Sequence, residues 1–590
     1  MRFFVVVIAV VLVACPVGRA VFAAHPVLTA LAESGAPALS GSAAFGTSVA
    51  AASVASGASV AAEGAGRWVR QSGLTHAGAQ LVKELLEAER RGLRPSDYHA
   101  AELNSRAQRL AQASASERAA FDAALTNAAR RLVVDLHVGR VSPKEVGHDL
   151  DVRKPSFDVE AAVSSLAASS NVSATLDALE PQLRHYALLK TALARYRELA
   201  ARGPALVQLP PLPGKRVAPG QRYEGVSALR ALLTALGDLP VAGPVTSERV
   251  PATVLRERVS GQSSPREPLP SESLPSEAVR GEAVSGEPVL DPALVDALKR
   301  FQARHGLDPD GVLGQATYRA LTTPLSLRVQ QIELSLERMR WLPSRLDSPP
   351  IIVNIPQFRL FAFRTTQDHA DQILQMDVIV GETFEARRTP VFAADMQYVV
   401  LNPYWDVPRS ILLKELLPQI QRNPGWIEKH GYEIVRGPGD DARAVPPTPE
   451  NIQLLAAGSL RLRQKPGPEN ALGRVKFMFP NRHNVYLHDT PGRTLFLRTR
   501  RAFSHGCIRV SDPGALLAHV LRNDLSWTGE KIEAAMAKGT PVRIPLRQPI
   551  RVFILYGTAL ATEAGSVHFF PDIYGHDAPL IARLNARRTA

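Results

Sequence analysis

The sequence predicts a multidomain α+β protein in which all-helical segments come first and a mainly-β domain follows. Three observations predict it. The chain has 590 residues, several times the size of a typical domain. Apolar residues recur at helical spacing from Trp68 to about Leu321, then give way to short β-type runs from Ile351 onward. Two patternless stretches divide the rest: 25–66 is nearly all Ala, Ser, Gly and Val, and 241–290 is rich in Ser, Pro and Glu without one aromatic residue.

Taken in order, the elements are as follows. Met1-Arg2 and the apolar run Phe3 to Ala14 read as an export signal or anchor within 1–24, too short for a comfortable membrane span. Ala20-Val21-Phe22-Ala23 offers a cleavage site, and Leu12-Val13-Ala14-Cys15 resembles a lipoprotein box that would lipidate Cys15. An uncleaved anchor is the third option. All three place the protein in the periplasm or cell envelope, and two tie it to a membrane. A tether at 25–66 is followed by helical runs at 67–203, among them Phe121 to His137 and Leu183 to Leu199. The segment 204–327 holds helices at Leu229 to Gly237 and Leu294 to Phe301, split by the insert at 241–290, which buries too little to fold. From 328 to 546 the period is mainly β, interrupted at about 408–474 by a block with helices at Ile411 to Gln421 and 450–457. An excursion of that length is read as a helical lid. Residues 547–590 form a C-terminal extension.

The net charge is +13, from 69 Lys and Arg against 56 Asp and Glu. No basic stripe is interleaved with aromatics, so nucleic acid is not an expected partner; an anionic wall or membrane surface is.

The chemistry gathers at Ser504-His505-Gly506-Cys507-Ile508-Arg509. Cys15 and Cys507 are the only cysteines, so an exported mature chain has no internal disulfide to make from Cys507. A nucleophilic thiol needs a base. His505 shares a face with Cys507 if the segment is extended, but a turn at Gly506 separates them. His488, 19 residues upstream, reaches the thiol if two strands joined through Pro491-Gly492 lie side by side. The base needs an orienting acceptor, and a backbone carbonyl suits better than Asp489, whose side chain alternates to the other face. Gly506 lets a carbonyl approach, and the Cys507 amide is the obvious oxyanion donor. One cysteine and scattered histidines make no metal site, and no cofactor is implied.

Two sets of motifs carry a family resemblance. Leu298-Lys299-Arg300-Phe301-Gln302, Asp310-Gly311-Val312-Leu313-Gly314 and Thr317 resemble the three-helix peptidoglycan-binding module of wall enzymes. Leu336 to Pro343, Val353 to Pro356, Asn402-Pro403-Tyr404-Trp405-Asp406-Val407-Pro408, Asn470 to Gly473, Lys476-Phe477, Tyr486 to Pro491 and Arg501 to Val510 resemble the L,D-transpeptidase (YkuD-type) catalytic domain, closest to large lid-bearing Gram-negative members. The resemblance implies that Cys507 attacks the third-residue carbonyl of a donor tetrapeptide stem, expelling D-Ala and leaving a thioester. It assigns His488 as base, the Gly506 and Cys507 amides to the oxyanion, Tyr486 and Arg509 to the pocket, and Ser504 and His505 to its support. It implies 3→3 peptidoglycan cross-links to a diaminoacid acceptor, and carbapenem sensitivity. Water, a free D-amino acid or a lipoprotein amine are alternative acceptors, and a wall-binding scaffold is the non-enzymatic alternative. Ser335, Met339 and Asp512 depart from the family pattern.

Overall fold

A computed structural model describes residues 66–150, 156–240 and 288–587. The export segment, Cys15, the tether up to 65 and the insert from 241 to 287 lie outside them. Among the described residues no helix is long and apolar enough to cross a membrane.

The helical domain is built from α1 (His76–Leu86), α2 (Ala100–Gln108), α3 (Ala115–His137), α4 (Val159–Ala168), α5 (Val172–Leu179) and α6 (Arg184–Ala201). Its starts are capped: Thr75 accepts from the Gly78 amide, and Ser114 with Glu117 forms a capping box ahead of α3. Trp68, Leu81, Leu85, Phe121, Leu125 and Leu132 fill the core.

The small module comprises α7 (Val226–Leu236), α8 (Pro292–Arg304) and α9 (Gln315–Leu321). Gln302 organises its turn. The amide donates to Asp310 Oδ1 at 2.8 Å, the Val312 carbonyl at 3.0 Å and Thr317 Oγ1 at 3.1 Å, while its oxygen accepts from the Gly311 N–H at 2.8 Å. One buried side chain thus ties Gln302, Asp310-Gly311 and Thr317 together. Residues 288–290, inside the expected insert, are described and held: the Pro288 carbonyl accepts from the Tyr223 N–H at 2.7 Å and Leu290 is buried.

Helix α10 (Leu325–Arg340) packs on α6 and leads into the β domain. Glu337, fully buried, accepts from the Val141 amide and the Arg340 guanidinium, both at 3.0 Å, and from Arg140. The Trp341 indole donates to the Val141 carbonyl at 2.7 Å. Of the departures from the family pattern, Ser335 accepts from the Ala559 amide at 3.0 Å, and Asp512 caps the helix Pro513–Leu521.

The β domain has nine strands: β1 (Ile351–Asn354), β2 (Arg359–Ala362), β3 (Leu374–Gly381), β4 (Phe392–Leu401), β5 (Val475–Met478), β6 (Leu487–His488), β7 (Ala502–Ser504), β8 (Ile508–Val510) and β9 (Val542–Leu555). Their order is β7-β3-β8-β6-β5-β4-β9-β1-β2, and β2 also pairs with β3, so eight strands close into a ring with β7 attached. The boundary drawn at 546/547 falls inside β9, whose Val552–Leu555 pairs with β1 while Val552, Phe553 and Ile554 also pair with β4. Arg547, Gln548 and Pro549 at a register shift hide this strand's continuity.

The block inserted between β4 and β5, read as a helical lid, has the expected helices near 411–422 and at Pro449–Ala457 and strands besides. It carries a four-stranded sheet from Trp405–Asp406, Tyr432–Arg436, Arg443–Val445 and Arg461–Gln464, with its own core around Ile420, Ile434, Leu455 and Leu462.

Candidate active site

The site lies where the parallel pair β6 and β8 meets β5. Leu487 pairs with Ile508 and His488 with Arg509. Side chains alternate along a strand, so Leu487, Ile508 and Val510 enter the core while Tyr486, His488, Cys507 and Arg509 share the other face. Lys476, opposite His488 on β5, joins them. Its Nζ sits 4.1 Å from the Tyr486 ring centroid, and the rings of Tyr486 and His488 meet edge-on at 5.7 Å.

His488 is buried, and its Nδ1 is 2.6 Å from the Asp489 carbonyl. A carbonyl only accepts, so Nδ1 carries the proton and Nε2 is left as the open acceptor. Burial, then the Arg509 charge, push its pKa down to about 3, so the ring is neutral at ordinary pH. His505 points elsewhere: its Nε2 is 2.8 Å from Glu415 of the inserted block. The turn at Gly506 separates it from the thiol.

Cys507 Sγ donates to the Asn484 carbonyl at 3.7 Å, and among the described residues it makes no hydrogen bond to His488. Burial raises the thiol pKa, opposed by hydrogen bonds from Tyr486 and by the charges of Lys476 and Arg509. Burial likewise lowers the pKa of both cations, and Cys507 opposes it. The buried Nε of Arg509 has no partner. Two cations on this face without a carboxylate salt bridge favour an anion beside the sulfur.

The loop between β7 and β8 is held by hydroxyls. Ser504 Oγ accepts from the Gly506 N–H at 3.1 Å and donates to the Cys507 carbonyl. Of the two amides expected at the oxyanion, that of Gly506 is thus engaged by Ser504. Among the described residues the Cys507 N–H has no partner. Gly506 has φ +116°, and an added Cβ would meet nothing closer than 3.6 Å. The residue is therefore required by backbone conformation, not by crowding.

Three residues at the site were given no role from the sequence, although Lys476 stands in one of the quoted motifs. Thr389 Oγ1 donates to the Gly506 carbonyl at 2.8 Å and accepts from the Gly381 N–H at 2.8 Å. The Tyr574 hydroxyl accepts from the Thr389 N–H at 3.2 Å and donates to the Gly381 carbonyl at 2.6 Å. This closed cycle fixes the Gly506–Cys507 peptide plane from behind, so its N–H points the opposite way. Gly381 permits the approach, since a Cβ there would lie 2.1 Å from the Arg387 carbonyl. Lys476 is the third, and a lysine on a central strand opposite a candidate base is a signal that could have found it. Among the described residues no group of three His, Cys, Asp or Glu is placed to hold a metal ion.

Comparison with known proteins adds three family matches and one relative. Residues 349–544 match the family model described as "L,D-transpeptidase catalytic domain". The chain carries an L,D-transpeptidase catalytic domain. Residues 62–193 match a model described as "Scaffold domain" and 284–321 one described as "Putative peptidoglycan binding domain". A Haemophilus influenzae protein named "Putative L,D-transpeptidase" is 35% identical over 257 residues, 43% of this chain and 50% of that relative. The chain thus spans about half the length of the curated relative it matches. Within the transpeptidase domain, Cys507, His488, Tyr486, Arg509 and Lys476 occupy one face, while Ser504 and the Thr389–Tyr574 cycle brace the loop behind it.

Proposed function

We propose that this protein is an exported peptidoglycan L,D-transpeptidase that forms 3→3 cross-links through a Cys507 thioester. The observation that carries the reading is that one sheet face presents the thiol, a free Cys507 N–H and a neutral imidazole whose unprotonated nitrogen is Nε2.

In this mechanism His488 Nε2 takes the thiol proton as Sγ attacks the carbonyl of the third residue in a donor stem. Lys476 and Arg509 stabilise the forming thiolate, and the Asp489 carbonyl supports the imidazolium. The oxyanion accepts from the Cys507 N–H and from the Tyr486 hydroxyl, which reaches the sulfur. Collapse expels D-Ala, whose nitrogen takes the proton from His488, and leaves the thioester. The acceptor amine then attacks, His488 removes its proton, and the thiol is regenerated. The energy of the new bond comes from the D-Ala peptide bond, which suits a compartment without ATP. The module at 284–321 holds the enzyme on its polymeric substrate.

The test is to incubate purified protein with disaccharide-tetrapeptide and resolve the products by mass spectrometry. A tetrapeptide–tripeptide dimer is the expected product. Tripeptide alone replaces cross-linking with carboxypeptidase activity, and undiminished turnover by Cys507→Ala refutes the thioester. A carbapenem, whose carbonyl mimics the scissile amide, should acylate Cys507.

A further inference from the structure

A cavity of about 530 Å³ lies where the helical domain, α10 and the transpeptidase domain meet. Its walls are mainly apolar: Leu150 and Leu189 from the helical domain, Met339 and Leu342 at the end of α10, and Val391 and Phe553 from the β domain. Thr366 and Gln367 line it and are exposed, so it opens to solvent beside them. Its volume falls within the roughly 300–1,000 Å³ of small-molecule sites.

Two polar side chains converge on it. His148 lines the cavity at 3% exposure, and among the described residues neither of its ring nitrogens has a hydrogen-bond partner. Its ring meets Trp341 edge-on at 5.6 Å and His576 at 4.9 Å. Burial, then the charges of His576 and Arg338, push its pKa down to about 3. The ring is therefore neutral, with one nitrogen that donates and one that accepts. Arg338 lines the cavity at 7% exposure, and its Nε also lacks a partner. Buried polar groups are nearly always paired, so three unpaired atoms around one cavity call for an occupant that forms hydrogen bonds. The lining charges cancel: Arg184 pairs with Glu563 at 2.7 Å and Arg338 with Asp577 at 2.6 Å, which leaves Arg345 against Asp368. Nothing there selects an ion.

We propose that this cavity binds an uncharged, mainly apolar small molecule bearing a hydroxyl, which accepts from Arg338 Nε and donates to the unprotonated nitrogen of His148. The occupant touches the helical domain, α10 and the β domain at once, so it fastens the junction between them. The site is separate from the Cys507 face and does not depend on the reaction proposed there.

The test titrates the full chain with 2-naphthol and with 2-methylnaphthalene, which differ only in a hydroxyl against a methyl group, and follows the fluorescence of each probe. The expected result is saturation by 2-naphthol at one per chain, at least fivefold tighter than 2-methylnaphthalene, with a raised melting midpoint, since a ligand of the folded state stabilises it. His148→Phe keeps an aromatic ring and removes both nitrogens, so it should bind both probes with that preference erased. Met339→Trp fills the cavity from a half-buried position and should weaken both probes at least tenfold; it decides the matter if His148→Phe does not fold. Saturation by neither probe overturns the proposal and leaves a cavity for water only. Unchanged binding to Met339→Trp places the probe elsewhere and overturns it as well. A hydroxyl preference that survives His148→Phe overturns the assignment to His148, and binding without a rise in midpoint overturns the fastening of the junction. Every reading is of binding and not of turnover, so a failure of the transpeptidase reaction leaves the result intact.

Discussion

Thr389 shows how much of this site depends on a hydroxyl that never touches the sulfur. It lies 117 residues before Gly506, yet its donation to that carbonyl sets where the Cys507 N–H points. Thr389→Val keeps the shape and removes the hydroxyl, leaving the Gly381 N–H without its acceptor. Losing an oxyanion donor costs on the order of 10²–10³ in rate; a donor that is misaimed and still present should cost about 10- to 100-fold. The loss should fall on kcat and on the carbapenem acylation rate with KM nearly constant, and Thr389→Ser should restore both. A Thr389→Val enzyme with normal kcat would refute the positioning role. The thiol and both histidines were legible because they sit in short local motifs. Thr389 and Tyr574 were not, since their roles arise only when β3 and the C-terminal segment close around the loop. The same limit applies to the Gly506 amide: sequence shows that a glycine is there, not that Ser504 has engaged its N–H.

At the scale of the element, the inserted block meets the site through Glu415. Its carboxylate accepts from Arg387 at 2.7 Å and from His505 at 2.8 Å. The helix delivering it widens to a π turn at Leu412–Leu416, where Pro418 lacks an N–H and its ring would clash with the carbonyl four residues back. Glu415→Ala removes two charge-assisted but partly exposed contacts, worth about 1 kcal/mol after solvent screening. Amide exchange in 411–422 should quicken and KM should rise roughly fivefold, with kcat less affected. Unchanged exchange would show that the block is held by other contacts. Its helices were readable from apolar spacing, but its sheet was not. Arg463, a buried residue in a strand, pairs with Glu433 at 2.7 Å and lies 3.9 Å from the Tyr404 ring. A buried arginine on Arg461–Gln464 breaks the alternation by which a strand is recognised.

Across the whole molecule, the helical domain supports the transpeptidase domain through the end of α10. Glu337 takes Arg140 from one side and Arg340 from its own helix; Arg340 also donates to the Tyr186 hydroxyl at 3.0 Å. Beside them Arg338 pairs with Asp577 at 2.6 Å and donates to the His576 carbonyl at 3.0 Å, close to Tyr574. One short motif therefore braces the helical domain and the segment that carries the Thr389 anchor. Burial opposes the Glu337 charge, but Arg140, Arg340 and two backbone amides outweigh it and hold the carboxyl below its usual 4.5. A carboxyl depressed on folding adds stability that is full above pH 4.5 and is lost as the pH falls through the folded value. Glu337→Gln leaves two buried guanidiniums short of a counter-charge, a class of change that costs about 3–5 kcal/mol. Urea midpoints measured at several pH values should therefore be lower for Glu337→Gln at pH 7. The gap to the parent should narrow below pH 4.5, where the parent loses the same charge. A gap independent of pH would mean that packing around Glu337, and not its ionisation, joins the two domains.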